Sequence, residues 1–269
     1  MIDPHPRRRL TTGAVYRALG GHIETSASAA GPWDPALQHG AAPAALAAWA
    51  AERMETGAPM RVVRLTLDFL RPVPVAPLEI HSEIIRQGRK IHVVLIRLLA
   101  QGIEVVRATA LKVRTSDRSV PLDLCEAVLD VPSPALSHEV RGQQRIKAAF
   151  LDGVSARLAT GTERRLGPAA MWFCANQPII DGEPISPLMR AAIAADFCNG
   201  VSSPLDIEQW TYINCDVTLS LVRPPVAEWI LVNAETWLGP DGTGVAVGRL
   251  GDETGYFGRA AQSLIVERR

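Results

Sequence analysis

Apolar positions change their spacing along the chain in the same order twice. Residues 39–56, HGAAPAALAAWAAERMET, are apolar at nearly every position, with Pro43 in the first turn of the helix they predict. Residues 186–199 repeat the pattern, with Ser186 as N-cap and Pro187 at the first helical position. A helix that is apolar nearly all round is a buried one. Behind each helix the period falls towards two. Residues 65–72 read LTLDFLRP and residues 217–224 read VTLSLVRP; four positions are identical and three others exchange one apolar residue for another. Each stretch ends in Arg-Pro and reads as a half-buried strand. Three further strands follow in each case, with RQGRK and PDGTG marking one hairpin turn and AQG and ETG the other. Ahead of the helices lie two short strand-like stretches, IETSASA at 23–29 and AAMWFCA at 169–175.

The unit is therefore strand, loop, buried helix and a run of antiparallel strands, present twice. A breaker-rich segment, SVPLDLCEAVLDVPSPALS at 119–137, lies between the copies. The expected class is α+β: a double hotdog, in which each of two repeats wraps an antiparallel sheet around a long apolar helix. The expected boundaries are 1–118 for the first repeat, 119–149 for the linker and 150–269 for the second. The plainer alternative is a generic α+β domain with chance similarity between its halves. Agreement between the strand match and the order of elements favours the duplication.

Composition narrows the function. The 269 residues carry 28 Lys+Arg against 28 Asp+Glu, and this zero net charge argues against a nucleic-acid or anionic-membrane binder. No apolar run is long enough to span a bilayer. The start, MIDPHPRRRL, has basic residues with no apolar stretch behind them, so it reads as a frayed tail rather than a secretory signal. Cys125, Cys174, Cys198 and Cys215 form no CxxC and have no histidines at metal spacing, so they read as reduced core thiols of a cytoplasmic protein, with no metal site. GxxxxGK[ST], a strand-borne GxGxxG and GxSxG are all missing. ATP, NAD and a serine nucleophile of the α/β-hydrolase type are therefore unsupported, and no cofactor is expected.

One charge stands out. In RAAIAADFCNG, residues 190–200, the carboxylate of Asp196 shares a helix face with Ile193, Ala192 and Leu188. An unpartnered buried carboxylate costs several kcal/mol or takes up a proton. Asp196 is thus either matched by polar groups elsewhere or a working group.

The pattern Trp33-x-x-x-x-Gln38-His39-Gly40, the Arg-Pro strands and the closing DETGYFGRAAQSLIVERR resemble acyl-CoA thioesterases of the double-hotdog, thioesterase-II-like superfamily, from about residue 20 to the end. The resemblance implies hydrolysis of fatty acyl-CoA without a covalent enzyme intermediate. It implies an aspartate on the second helix, a Thr or Ser on the strand that follows, and a glutamine on the last strand. These fall on Asp196, on Asn214 and on Gln262. Asn214 departs from the usual hydroxyl, although an amide can still donate and accept hydrogen bonds. Asp196 would act as a general base or hold the water. His39 and Gly40, at the start of the first helix, are the expected substrate-binding residues: free N–H groups there suit an oxyanion, and Gly40 permits close approach of a ligand. The site is expected where the two halves meet.

Each residue has a structural alternative. Asp196 could bond a neighbouring loop, Gln262 could satisfy sheet-edge groups, Asn214 could be a strand-start residue, and His39 could cap its helix. Asp216 rivals Asn214, and Glu52 is the acid a single-hotdog enzyme would keep on its first helix. Arg89, Lys90 and Arg190 are candidates for the CoA phosphates. Two other functions stay open: a non-catalytic acyl-thioester-binding protein, favoured by Asn214, and a hotdog dehydratase or hydratase, which needs a His beside an acid. Beyond the acyl-CoA substrate, the expected partner is a second copy of the chain, because exposed sheet edges pair.

Overall fold

A computed structural model describes residues 13–116, 128–140, 148–161 and 166–269 of the protein. The N-terminal tail, Cys125 and most of the expected linker fall outside the described residues. Four α-helices are present among them: α1 (Ala41–Arg53), α2 (Ala149–Asp152), α3 (Pro187–Ala195) and α4 (Cys198–Ser202). The first half contributes β1 (Tyr16–Leu19), β2 (His22–Thr25), β3 (Met60–Phe69), β4 (Leu78–Gln87), β5 (Ile91–Ala100) and β6 (Ile103–Arg114). The rest are β7 (His138–Glu139), β8 (Val154–Thr160), β9 (Ala169–Ala175), β10 (Trp210–Asn214), β11 (Asp216–Leu221), β12 (Ile230–Leu238), β13 (Thr243–Asp252) and β14 (Gly255–Arg268).

All fourteen strands join one sheet in the order β1-β2-β4-β5-β6-β3-β11-β14-β13-β12-β9-β8-β7, with β10 paired to β14. Read outward from the middle, the first half runs β3, β6, β5, β4, β2, β1 and the second β11, β14, β13, β12, β9, β8, so the strands succeed one another in the same order on both sides. The halves meet where β3 and β11 pair antiparallel, and Thr66 lies opposite Thr218 in the register. These two positions are 152 residues apart, and the Thr218 hydroxyl lies 3.1 Å from that of Thr66. The Arg-Pro motifs, Arg223 less Arg71, stand at the same spacing. Irregularities recur at it as well: β3 shifts register between Val62 and Arg64 and β5 between Leu98 and Leu99. β13 shifts between Leu250 and Gly251.

The helices form as the pattern requires. Ser186 caps α3 by accepting from the Met189 N–H at 3.1 Å, and Pro187 occupies the first turn, where its missing N–H costs nothing. Buried alanines dominate α1, and small side chains let α1 and α3 pack closely in the concavity of the sheet. They run antiparallel, so the start of α1 lies by the end of α3. The second helix is shorter than its sequence pattern suggests. It stops at Asp196, and the chain resumes helical turns only at Cys198. Within the 119–149 segment, His138–Glu139 adds the edge strand β7 to β8.

Candidate active site

Asp196 caps the C-terminal end of α3 and is 4% exposed. Its carboxylate lies where α3 ends against the start of α1. Oδ1 accepts from Asn214 Nδ2 at 2.9 Å, and Oδ2 stands 3.1 Å from His39 Nδ1. His39, Asn214 and Asp196 thus come together from the two halves. Both oxygens having a polar neighbour offsets the cost of removing the carboxylate from water.

Asn214 reaches Asp196 because the strand is kinked. β10 pairs with β14 with Asn214 opposite Leu264, whereas β11 pairs with it with Thr218 opposite Ala261, so one residue is extra on the β10–β11 side. This bulge separates the side chains of Asn214 and Asp216, which simple alternation would place on one face. Asn214 points at Asp196, whereas Asp216 accepts from the Ser263 backbone N–H at 2.5 Å. The rival residue is therefore occupied at the sheet.

Gly40 and Gln262 both pack against Asp196. Gly40 borders the cavity, but the group that needs its missing side chain is Asp196. A Cβ at Gly40 would lie 2.6 Å from Oδ1 and 3.0 Å from Oδ2. Gln262 is 1% exposed and sits beneath the carboxylate rather than beside it. Its Nε2 donates to the Asp196 backbone carbonyl at 3.0 Å, and its Oε1 accepts from the Asn199 N–H at 2.9 Å. Its amide thus spans the break between α3 and α4, and Gln262 is not among the residues that line the cavity.

A cavity of about 510 Å³ opens in front of Asp196, His39 and Asn214. Its walls are largely apolar and aromatic, including Trp33, Phe69, Phe173, Phe197 and Tyr212. Phe173 stacks on Phe197 at 4.3 Å between ring centroids, and the His39 ring stacks on Phe150 at 5.1 Å. Apart from Trp33, the sequence reading missed these aromatics because they are scattered over β3, β9, β10 and the turn after α3. It also missed Arg71, the cation on the cavity wall, because Arg71 follows β3 and read only as part of the Arg-Pro repeat. The three cations proposed for phosphates stand elsewhere: Arg89 and Lys90 in the β4–β5 turn, and Arg190 beside Glu228 at 3.8 Å.

Other candidate chemistry is weak. Burial, with a smaller contribution from the Asp196 charge, pushes the Cys198 thiol up to about 12, and burial pushes Cys174 up to about 11. Both stay protonated, so neither is a thiolate nucleophile. Among the described residues no group of His, Cys, Asp or Glu could hold a metal ion. No helix among them is long and apolar enough to cross a membrane.

Family comparisons match the chain on both sides of the middle. The acyl-CoA thioesterase N-terminal domain matches residues 29–113 and the acyl-CoA thioesterase C-terminal domain residues 126–266. The chain belongs to the acyl-CoA thioesterase family. Similar solved structures include a presumed thioesterase from Novosphingobium aromaticivorans (21% identity, 93% of this chain and 98% of that one, TM-score 0.71). A hot dog fold protein of unknown function from Alicyclobacillus acidocaldarius is 18% identical over 94% of this chain and 95% of its own, with a TM-score of 0.72. The acyl-CoA thioesterase II TesB2 of Mycobacterium marinum is 14% identical over 93% and 92%, with a TM-score of 0.68. At these identities the structures share the hotdog fold. No curated protein matches the chain significantly in sequence.

Proposed function

We propose that the protein hydrolyses acyl-CoA to free acid and CoA through a water activated at the cluster of Asp196, Asn214 and His39. The observation that carries this reading is a sealed carboxylate, bonded by Asn214 at 2.9 Å, at the inner wall of a 510 Å³ apolar cavity. The cavity suits an acyl group, and the polar cluster suits the thioester carbon. Asn214 stands where the resemblance expects a hydroxyl, and its amide keeps the carboxylate oriented. Gln262 is a positioning residue that holds the turn on which Asp196 sits. The start of α1, at His39 and Gly40, supplies the positive end of a helix for the developing oxyanion.

The same reading makes the chain a double hotdog, with repeats at 1–118 and 150–269 joined by 119–149. Equal strand succession, the Thr66–Thr218 pairing and register shifts at matching positions support it. On this reading the site is composite: the acid comes from the second repeat and His39 from the first.

Thiol release from a panel of acyl-CoA esters tests the hydrolase. Release by the native protein that Asp196→Asn lacks supports it, and binding without release favours an acyl-thioester-binding role. The pairing of His39 with Asp196 also suits addition of water to a 2-enoyl thioester. A change in enoyl absorbance without thiol release identifies that reaction.

A further inference from the structure

We propose that His39 carries the proton in this site, its Nε2 serving as general base and then general acid, while Asp196 holds the ring. This rests on the hydrolase reading above and says which atom does the proton transfer.

Three observations lead here. First, Asp196 has little left to offer a water: one oxygen is bonded by Asn214, the other faces His39 Nδ1, the carboxylate packs on the bare Gly40 backbone, and the side chain is 3% exposed. Second, His39 is fixed with one nitrogen open. Its ring stacks on Phe150 at 5.1 Å and lies 5.2 Å from Phe197, and Nε2 bonds to none of the described residues. Nε2 is not among the sealed polar atoms, and His39 borders the cavity, so this nitrogen opens towards the acyl site.

Third, the Nδ1 contacts bear on the tautomer. Two groups meet at this atom: the Ala41 N–H at 3.1 Å and Asp196 Oδ2 at 3.1 Å. They make opposite demands, because Nδ1 accepts from Ala41 only without its proton and donates to Asp196 only with it. A carboxylate out of water needs the donor more, and the Ala41 N–H is one of the first helix N–H groups, which have no partner within the helix. We therefore place the proton on Nδ1, at the expense of the Ala41 bond, which leaves a bare lone pair on Nε2. Around the ring, Phe150 and Phe197 bring no charge, Asn214 is neutral, and among the described residues Asp196 is the acid in contact. Asp34, Arg71 and Glu267 line the same cavity.

The steps balance. Nε2 takes a proton from water as the water oxygen bonds the carbonyl carbon, and the carbonyl pair moves onto its oxygen. That pair returns as the C–S bond breaks, the bond electrons leave with sulfur, and Nε2–H protonates the thiolate. The products are the free acid and the thiol.

Two measurements test this. In the first, His39→Gln and the native protein are compared for thiol release across pH, with circular dichroism to check folding. The expected result is a kcat lower by about a hundredfold or more, KM within roughly threefold, and loss of the acid-side fall that protonation of the imidazole causes in the native rate. Added imidazole should partly restore His39→Gly. A kcat within about threefold of native, or an acid limb that persists in His39→Gln, overturns the proposal. The second uses the native protein alone: long-range proton–nitrogen NMR of labelled histidine should show His39 protonated at Nδ1, and Asp196→Asn should shift that balance. A proton on Nε2 overturns the proposal even if no acyl-CoA is hydrolysed. Absence of hydrolysis with Nδ1 protonated overturns the hydrolase reading and leaves the His39–Asp196 pair standing.

Discussion

At one seam the end of α3 meets the start of α1, and Asp196 stands 3.1 Å from His39. At the other the end of α1 meets the start of α3, and Glu52 accepts from the Ser186 hydroxyl at 2.6 Å. The two acids sit alike, each nine residues beyond its helix proline, Pro187 and Pro43. Their surroundings differ. Where the first seam has Asn214, the second has Val62 at the same 152-residue spacing; where the first has Gln262, the second has Ala110. The second seam borders a smaller cavity of about 310 Å³ whose walls include the Lys112 ammonium. Lys112 is itself tied to the Met54 carbonyl at 2.5 Å. A similar frame thus holds one sealed, amide-bonded carboxylate facing an apolar cavity and one acid that bonds a helix cap and reaches solvent. The difference teaches that an acid at a helix end is not yet a site; the amides that orient it and the wall that keeps water out make it one.

The largest expected break in this comparison is Asp196→Asn, which should lower kcat for thiol release by about 10²–10⁴-fold, whereas Glu52→Gln should stay within about threefold. Equal losses in steady-state assays would mean that both seams work. Gly40→Ala comes next. Its new Cβ would press on the Asp196 oxygens and displace them, so we expect kcat to fall by roughly tenfold to a hundredfold while circular dichroism stays native.

Gln262→Ala leaves the Asn199 N–H and the Asp196 carbonyl without their partner in a dry interior. It should cost about 2–4 kcal/mol in urea unfolding, while the surface change Thr211→Ala should cost well under 1 kcal/mol.

Asp252→Asn separates the halves by pH. Burial works to raise the Asp252 carboxyl. The Arg223 guanidinium, Thr254 and the Val226 and Thr254 N–H groups outweigh that and bring it down to about 2. An unfolded aspartate titrates near 3.9, so this contribution is complete above about pH 4 and is lost as pH falls towards 2. Asp252→Asn should unfold more readily at pH 7 yet lose less between pH 4 and 2. The first half has Ala100 in the matching place, and Arg71 donates instead to the Glu104 carbonyl. The smallest effect belongs to Glu52→Gln on stability. Burial raises the Glu52 carboxyl, opposed by the Ser186 bond and the Lys112 charge. A raised acid favours folding at low pH and loses that contribution as pH climbs through its folded value. At pH 7 the variant should therefore melt at or slightly above the native temperature.

Much of this was legible in the residues. The all-apolar helices, the paired Arg-Pro strands and AAMWFCA at 169–175 predict α1, α3, β3, β11 and β9, since burial on every side leaves no polar stripe to misread. Asp196 on an apolar face was legible for the same reason. The β10–β11 bulge was not, because one extra residue changes which side chain faces inward without changing composition. That bulge sets Asn214, and not Asp216, against Asp196. Nor could the sequence show that Gln262 spends both ends of its amide on backbone, or that Gly40 makes room for the Asp196 carboxylate. Those are distances between residues far apart in the chain.

The Thr66–Thr218 pairing has a consequence for any attempt to cut the protein in two. A severed first half would carry β3 as a naked edge whose register already matches its own kind, since Thr66 sits where the two strands cross. Two such fragments could zip together along β3 and recreate a symmetrical pair, but each seam of that pair would present Glu52 and Val62. Paired second halves would own Asp196 twice and His39 not at all. Only the uncut polypeptide brings the unlike partners to one place.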